Sequence, residues 1–194
     1  MNPPIWLLAL AAFSIGCGMR MLDPLLPMLA ASFGVGLGDA ATLIAGFAIA
    51  YGLGQLGTGP LGDRYGKPRV AAVAVILYAV VTAGAALAGS LGALLAMRVL
   101  AGLVAAAVIP LLMAHIADSL PYDQRQGVIG RFLTGMVMAQ ILAGPIAGVV
   151  GEAFGWRAPF ALLGAVAAGA GALFAVRLGA AGRFGVLSGG TVTV

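Results

Sequence analysis

Six apolar runs, separated by short polar or small-residue stretches, divide this chain at approximately 5–31, 42–62, 70–89, 93–117, 128–150 and 158–177. Each is long enough for a helix to cross the roughly 30 Å hydrocarbon core of a bilayer, which takes about 20 residues. The runs are apolar on every face and lack the strict alternation of a barrel strand, so helices are predicted. Between the third and fourth runs, Gly89, Ser90, Leu91 and Gly92 leave room only for a tight hairpin. After the sixth run comes a short Gly-rich tail, 178–194, without a seventh. The predicted fold class is therefore an all-α membrane protein, a bundle of six transmembrane helices over residues 1–177.

Composition narrows the medium. Hydrophobic residues make up 62% of the 194 and charged residues only 8%, with a mean hydropathy of +1.10. A soluble domain carries roughly 25% charged residues to coat its surface; this chain has too few, so the lipid bilayer is its expected partner. The 31 glycines disfavour isolated helices in water, yet in lipid small residues let helix backbones approach closely. The series Gly52, Gly54, Gly57 and Gly59 is accordingly read as close packing in the second span. One cysteine, Cys17, excludes an internal disulfide and any multi-cysteine metal site.

Charge gives sidedness. Arg64, Lys67 and Arg69 fall between runs two and three, Arg125 and Arg131 beside the loop between four and five, and Arg177 and Arg183 at the C-terminal end. Arg157 alone lies on the opposite side. The positive-inside rule then predicts both termini in the cytoplasm. The net charge of +4 does not form a basic stripe, so no nucleic acid partner is expected. Met1 to Leu10 has no Lys or Arg, and the first run outlasts a signal-peptide core, so a retained first helix is predicted.

The loop between runs two and three reads Gly59-Pro-Leu-Gly-Asp-Arg-Tyr-Gly-Lys-Pro-Arg69. It resembles the signature of the major facilitator superfamily's loop between helices 2 and 3, with Gly59, Leu61, Asp63, Arg64, Gly66 and Lys67 in register. Pro68 stands at the second basic position, and Arg69 follows it. Arg20-Met-Leu-Asp23-Pro-Leu-Leu-Pro27 resembles the first helix of drug- and sugar-efflux-like members, and Arg98-Val-Leu-Ala-Gly102 their intramembrane arginine motif. Gly155-Trp-Arg-Ala-Pro-Phe160 is similar to the start of their sixth helix. In the fifth run Gly144, Pro145 and Gly148 resemble the antiporter motif, with Gln140 and Val149 where glycines are usual. The resemblance covers nearly all of residues 13–177 and implies the N-terminal six-helix half of such a transporter.

Candidate chemistry follows from charges inside the apolar runs. Arginine at a helix centre costs about 2.5–3.5 kcal/mol on insertion scales, so it is usually paired or functional. Arg20 and Arg98 are expected at similar depth in the outer half of the membrane, with Asp23 one turn from Arg20 on the same helix face. Family architecture implies that helices 1 and 4 line a central cavity, so Arg98, Asp23 and Arg20 are expected as a cluster coupling substrate to protons. The alternative is that Arg20 and Asp23 mark the headgroup boundary, with Arg20 snorkelling. Gln55 and Gln140 are intramembrane amides, read as helix–helix hydrogen bonders or substrate contacts. On the loop side, the resemblance implies that Asp63, Lys67 and Asp118 act as a conformational charge relay that latches the outward-facing state. His115, one turn before Asp118, is read as an interfacial polar residue.

No phosphate-binding loop, catalytic triad or metal site is legible, so neither enzyme chemistry nor a cofactor is expected. The functional expectation is a proton-coupled efflux transporter of small organic molecules in a bacterial cytoplasmic membrane. One six-helix unit supplies only one wall of a cavity, so the unit is expected to work as a homodimer. The alternatives are an N-terminal fragment of a twelve-helix transporter and a non-transporting membrane protein that kept the fold.

Overall fold

The computed structural model describes residues 5–187, with side chains as far as Leu178. It is a helical bundle, with no strand among the described residues. In chain order the helices are α1 (Ile5–Arg20), α2 (Leu26–Phe33), α3 (Leu37–Gln55), α4 (Thr58–Tyr65), α5 (Lys67–Ala85), α6 (Leu91–Ala105), α7 (Val108–Ser119), α8 (Tyr122–Phe154) and α9 (Arg157–Leu187). Six stretches are long and apolar enough to cross a membrane: Ile5–Phe33, Leu37–Gln55, Lys67–Ala85, Leu91–Ser119, Tyr122–Phe154 and Arg157–Leu178.

Three of the six expected runs are broken, and proline explains each break. A proline ring collides with the carbonyl four residues earlier and offers no N–H. Pro24 acts on Arg20, where α1 stops and a 3-10 turn, Asp23–Leu25, leads into α2. Pro60 acts on Leu56, just past the end of α3 at Gln55; the expected unbroken helix over 42–62 is thus two pieces, α3 and α4. Pro110 acts on Ala106, just past the end of α6.

Other boundaries also move. α5 ends at Ala85 instead of 89, and Ser90 caps α6 by accepting a 3.2 Å hydrogen bond from the Ala93 N–H. α8 begins at Tyr122, before the apolar residues start at 128, because Gln124, Arg125 and Gln126 tolerate helix well. The stretch from 178 is not a loop where it is described: α9 carries on to Leu187, and 188–194 lie outside the described residues. Gly66 (φ 89°) and Gly155 (φ 83°) make the α4–α5 and α8–α9 turns in a backbone region that side chains disfavour.

The helices pack most extensively as α5 with α9, α1 with α8, and α3 with α6. Each pair uses glycine for close approach. A Cβ at Gly164 would lie 2.7 Å from that of Ala83, one at Gly16 2.9 Å from that of Ala139, and one at Gly54 2.7 Å from that of Ala106. Of the glycine series in the second run, only Gly54 packs this way; an added Cβ at Gly52 or Gly59 meets nothing within 4 Å.

Burial is uneven among the spans. Only 22% of the second and 17% of the fifth is buried, against 44–56% for the other four. The α3 and α8 faces carry large exposed apolar residues, among them Ile49, Leu53, Val137 and Ile141.

Candidate functional site

Arg98 is the centre of the intramembrane polar region. It stands on α6 at 2% exposure, among the largest fully buried side chains. Its Nη2 donates to the Gly18 carbonyl at 3.0 Å, and its Nε reaches the Leu43 carbonyl at 3.5 Å. Its Cζ lies 4.1 Å from the centroid of the Phe47 ring, which stacks on Tyr51. One guanidinium therefore ties α1, α3 and α6 together. Arginine's planar fork of donors, flat against an aromatic face, suits this task in a way lysine's point charge does not. No carboxylate pairs with Arg98 among the described residues.

Gly18 makes that contact possible. A Cβ there would fall on the hydroxyl of Tyr78, a wholly buried residue of α5. Four spans thus converge on the Gly18–Arg98 junction.

Arg20 and Asp23 form their own pair, Nη1 to Oδ2 at 3.6 Å, with both side chains about half exposed. The structure brings these two together and brings Arg98 to the same part of α1, two residues away. Arg98 is bonded to neither. Gln55 is exposed at the end of α3, and Gln140 is half-buried on α8. Of the fifth-span motif, Gly148 packs on Pro24, Pro145 is exposed, and an added Cβ at Gly144 meets nothing within 4 Å.

At one end of the bundle, Lys67 at the start of α5 donates to Asp118 at the end of α7 and lies 4.0 Å from Asp63 on α4. Asp63 keeps three quarters of its side chain exposed, so one carboxylate is engaged and the other is free to meet a further partner. Gly62 is buried where a Cβ would collide with Leu111, which locks α4 onto α7. Leu61 and Arg64 face outward, Arg64 over the Tyr65 ring at 5.2 Å, and Gly59 is exposed. His115 sits behind Asp118 with Nδ1 3.4 Å from Ser119 Oγ. At the other end Arg157 lies over Trp156 and donates to the Ala88 carbonyl at 3.3 Å, joining the α8–α9 and α5–α6 turns.

Sequence reasoning singled out Arg98 but missed Gly18, Leu43, Phe47 and Tyr78. Gly16 and Gly18 in an apolar helix were a visible sign of close approach; nothing in the sequence marked Phe47 as the ring beneath the guanidinium.

The sequence model of the Major Facilitator Superfamily matches residues 8–184. The chain belongs to that family. Among curated members, it is 28% identical over 79% of its length to the uncharacterized MFS-type transporter YwfA of Bacillus subtilis. It is 31% identical over 78% to the tetracenomycin C resistance and export protein of Streptomyces glaucescens. It is 29% identical over 86% to the quinolone resistance protein NorA of Staphylococcus aureus. The matches cover 37%, 29% and 42% of those three Major Facilitator proteins, so the chain spans well under half the length of these relatives.

Solved structures agree on the fold. A bacterial homologue of the human lysosomal transporter Spinster superposes with a TM-score of 0.76 at 22% identity, over 89% of this chain and 43% of that one. The proton:xylose symporter XylE gives 0.78 at 17% identity, over 89% and 43%. This chain therefore has the six-helix fold of a Major Facilitator half and is a multi-pass membrane protein.

Proposed function

We propose that this chain is the N-terminal six-helix half of a secondary active transporter that exports small organic molecules across a bacterial inner membrane in exchange for protons. Both its termini lie in the cytoplasm, on the side of Arg64, Lys67 and Arg69. The direction is supported by relatives that are resistance and export proteins. Arg20 and Asp23, both about half exposed, face the substrate path, with Gln55 and Gln140 beside it, and the buried Arg98 holds α1, α3 and α6 in place behind them. Asp23 carries the proton and releases Arg20 when it is neutralised.

The observation that carries this reading is the bareness of α3 and α8, the least buried spans, taken with the Asp63 carboxylate left three-quarters exposed at the end of the bundle. Alternating access needs two units rocking about a site between them. Here α3 and α8 are the faces against which a second six-helix unit seats, α3 of one against α8 of the other. A second copy supplies that unit in a homodimer. The share of its relatives that the chain covers favours a second source, the C-terminal half of a twelve-helix transporter.

The test is export of tetracenomycin C and a quinolone from proteoliposomes under an imposed pH gradient, with the mass of the detergent-solubilised protein measured in parallel. Gradient-driven export by the chain alone, at the mass of two copies, supports the homodimer. Export only when the C-terminal half of a relative is co-reconstituted supports the second source. No gradient-driven export in either preparation overturns the transport reading.

A further inference from the structure

A cavity of about 150 Å³ opens between α8 and α9, with α1 as its floor. Phe13 and Cys17 come from α1, Ala143 and Ala147 from α8, and Leu163 from α9. The walls are hydrocarbon and sulfur, and the Cys17 thiol is turned toward the Ala139 carbonyl at 3.8 Å. The space exists because α8 presents alanines, 143 and 147, where larger residues would close the gap.

Its position is separate from the pairing face of α8. At 3.6 residues per turn, Pro145 and Ile141 point roughly 100–140° round the helix from Ile146, which stands at the cavity mouth. Ile146, Leu162 and Val166 flank the mouth and are exposed, within stretches long and apolar enough to span the bilayer. The medium outside the mouth is hydrocarbon.

Three physical constraints select the occupant. Water needs two to four polar partners to sit in a cavity, and wholly apolar cavities of about this size stay dry and take apolar guests. A guest with a hydroxyl or charge would leave that group unpaired, at a cost of about 2 kcal/mol or more. An unfilled cavity forfeits the dispersion contacts of every atom lining it. A hydrocarbon chain already dissolved in the bilayer restores those contacts and has no water to shed.

We propose that this cavity is a lipid site: an acyl chain of a bilayer phospholipid enters between α8 and α9 and lies against α1 beside Cys17. The site does not depend on the chain carrying a solute; it requires that the chain reside in a membrane and that a second unit leave the Ile146 side of α8 uncovered.

Photo-crosslinking tests it. The full chain is reconstituted in phosphatidylcholine vesicles containing a phospholipid with a diazirine in mid-chain, irradiated, digested and read by mass spectrometry. Val80, exposed on α5, reports ordinary lipid contact. The expected result is more adduct on Cys17 and Leu163 than on Val80, and loss of that excess in Ala143→Leu, with the Val80 adduct unchanged. Should Ala143→Leu fail to give helical, monodisperse protein, Ala147→Val fills the same space with one methylene less. Adducts at Cys17 and Leu163 no greater than at Val80 would overturn the proposal. So would an excess that persists in a well-folded cavity-filling variant.

Discussion

Arg98 shows how the cost of a buried charge is met without a counter-ion. Its charge is met by two backbone carbonyls and an aromatic face, none of them an anion. The Phe47 contact contributes about 2 kcal/mol when desolvated, and hydrogen bonds from a charged donor about 1.5–3 kcal/mol each. These offset the insertion cost and leave the buried charge without an anionic partner among the described residues. Arg98→Lys keeps the charge, but a single ammonium cannot serve carbonyls on α1 and α3 while lying flat on Phe47. Losing one charged hydrogen bond is expected to cost about 1.5–3 kcal/mol of stability and to slow transport in protein that still folds; Arg98→Ala is expected to abolish transport. Initial rates in proteoliposomes, normalised to monodisperse protein, check both. The Arg20–Asp23 pair divides the two readings of its role. As the proton carrier, Asp23→Asn leaves the fold intact and removes the dependence of export on the pH gradient. Should gradient-driven export persist at the wild-type rate, the pair marks the headgroup boundary and no more.

At the scale of helices, glycine position decides whether a substitution disturbs the chain's own packing or only its outer face. A Cβ at Gly102 would sit on the Phe47 carbonyl and 3.1 Å from the Ala50 Cβ, where backbone cannot yield, so α3 and α6 must separate. Gly102→Leu is expected to lower the melting temperature sharply or prevent folding. Gly52→Leu, with nothing within 4 Å, is expected to leave melting unchanged and to weaken association with a second unit. Thermal unfolding in detergent beside size-exclusion mass analysis separates these effects. The same contrast explains what was legible in advance. The six runs were readable because a bilayer demands long apolar helices whatever their partners. The helix breaks at Pro24, Pro60 and Pro110 were written in the sequence, but hydropathy does not register them because the runs stay apolar through the prolines. Gly54 could not be told from Gly52 by pattern alone, since one faces α6 and the other faces out only after the helices have packed. Phe47 and Tyr78 were hidden for the same reason: their meeting with Arg98 and Gly18 is a tertiary event among four spans.

For the whole molecule, the question is what covers α3 and α8. An exposed apolar face at membrane depth is content in lipid, so exposure alone does not demand a partner. The charges at the end of the bundle add the demand. Lys67 is committed to Asp118, while Asp63 projects from α4 largely exposed. A carboxylate stabilises a helix N-terminus when it reaches one, by about 0.3–1 kcal/mol and more when partly buried. The α8 helix begins at Tyr122 and exposes Gly127 and Gly130 along its first turns, with space around both. Seating α3 and α4 of one unit against α8 of another brings Asp63 toward that start, and two equal units would make the contact twice. On a Cys17→Ser background, Asp63→Cys paired with Gly130→Cys is therefore expected to form a disulfide between units under mild oxidation. A control pair of Val80→Cys with Gly130→Cys, which joins the outer face of α5 to α8, is expected to form none. A covalent band at twice the chain mass for the first pair alone places the α3–α8 faces together. Equal crosslinking in both pairs, or none in a preparation that still exports solute, shows that two copies of this chain do not meet through α3 and α8.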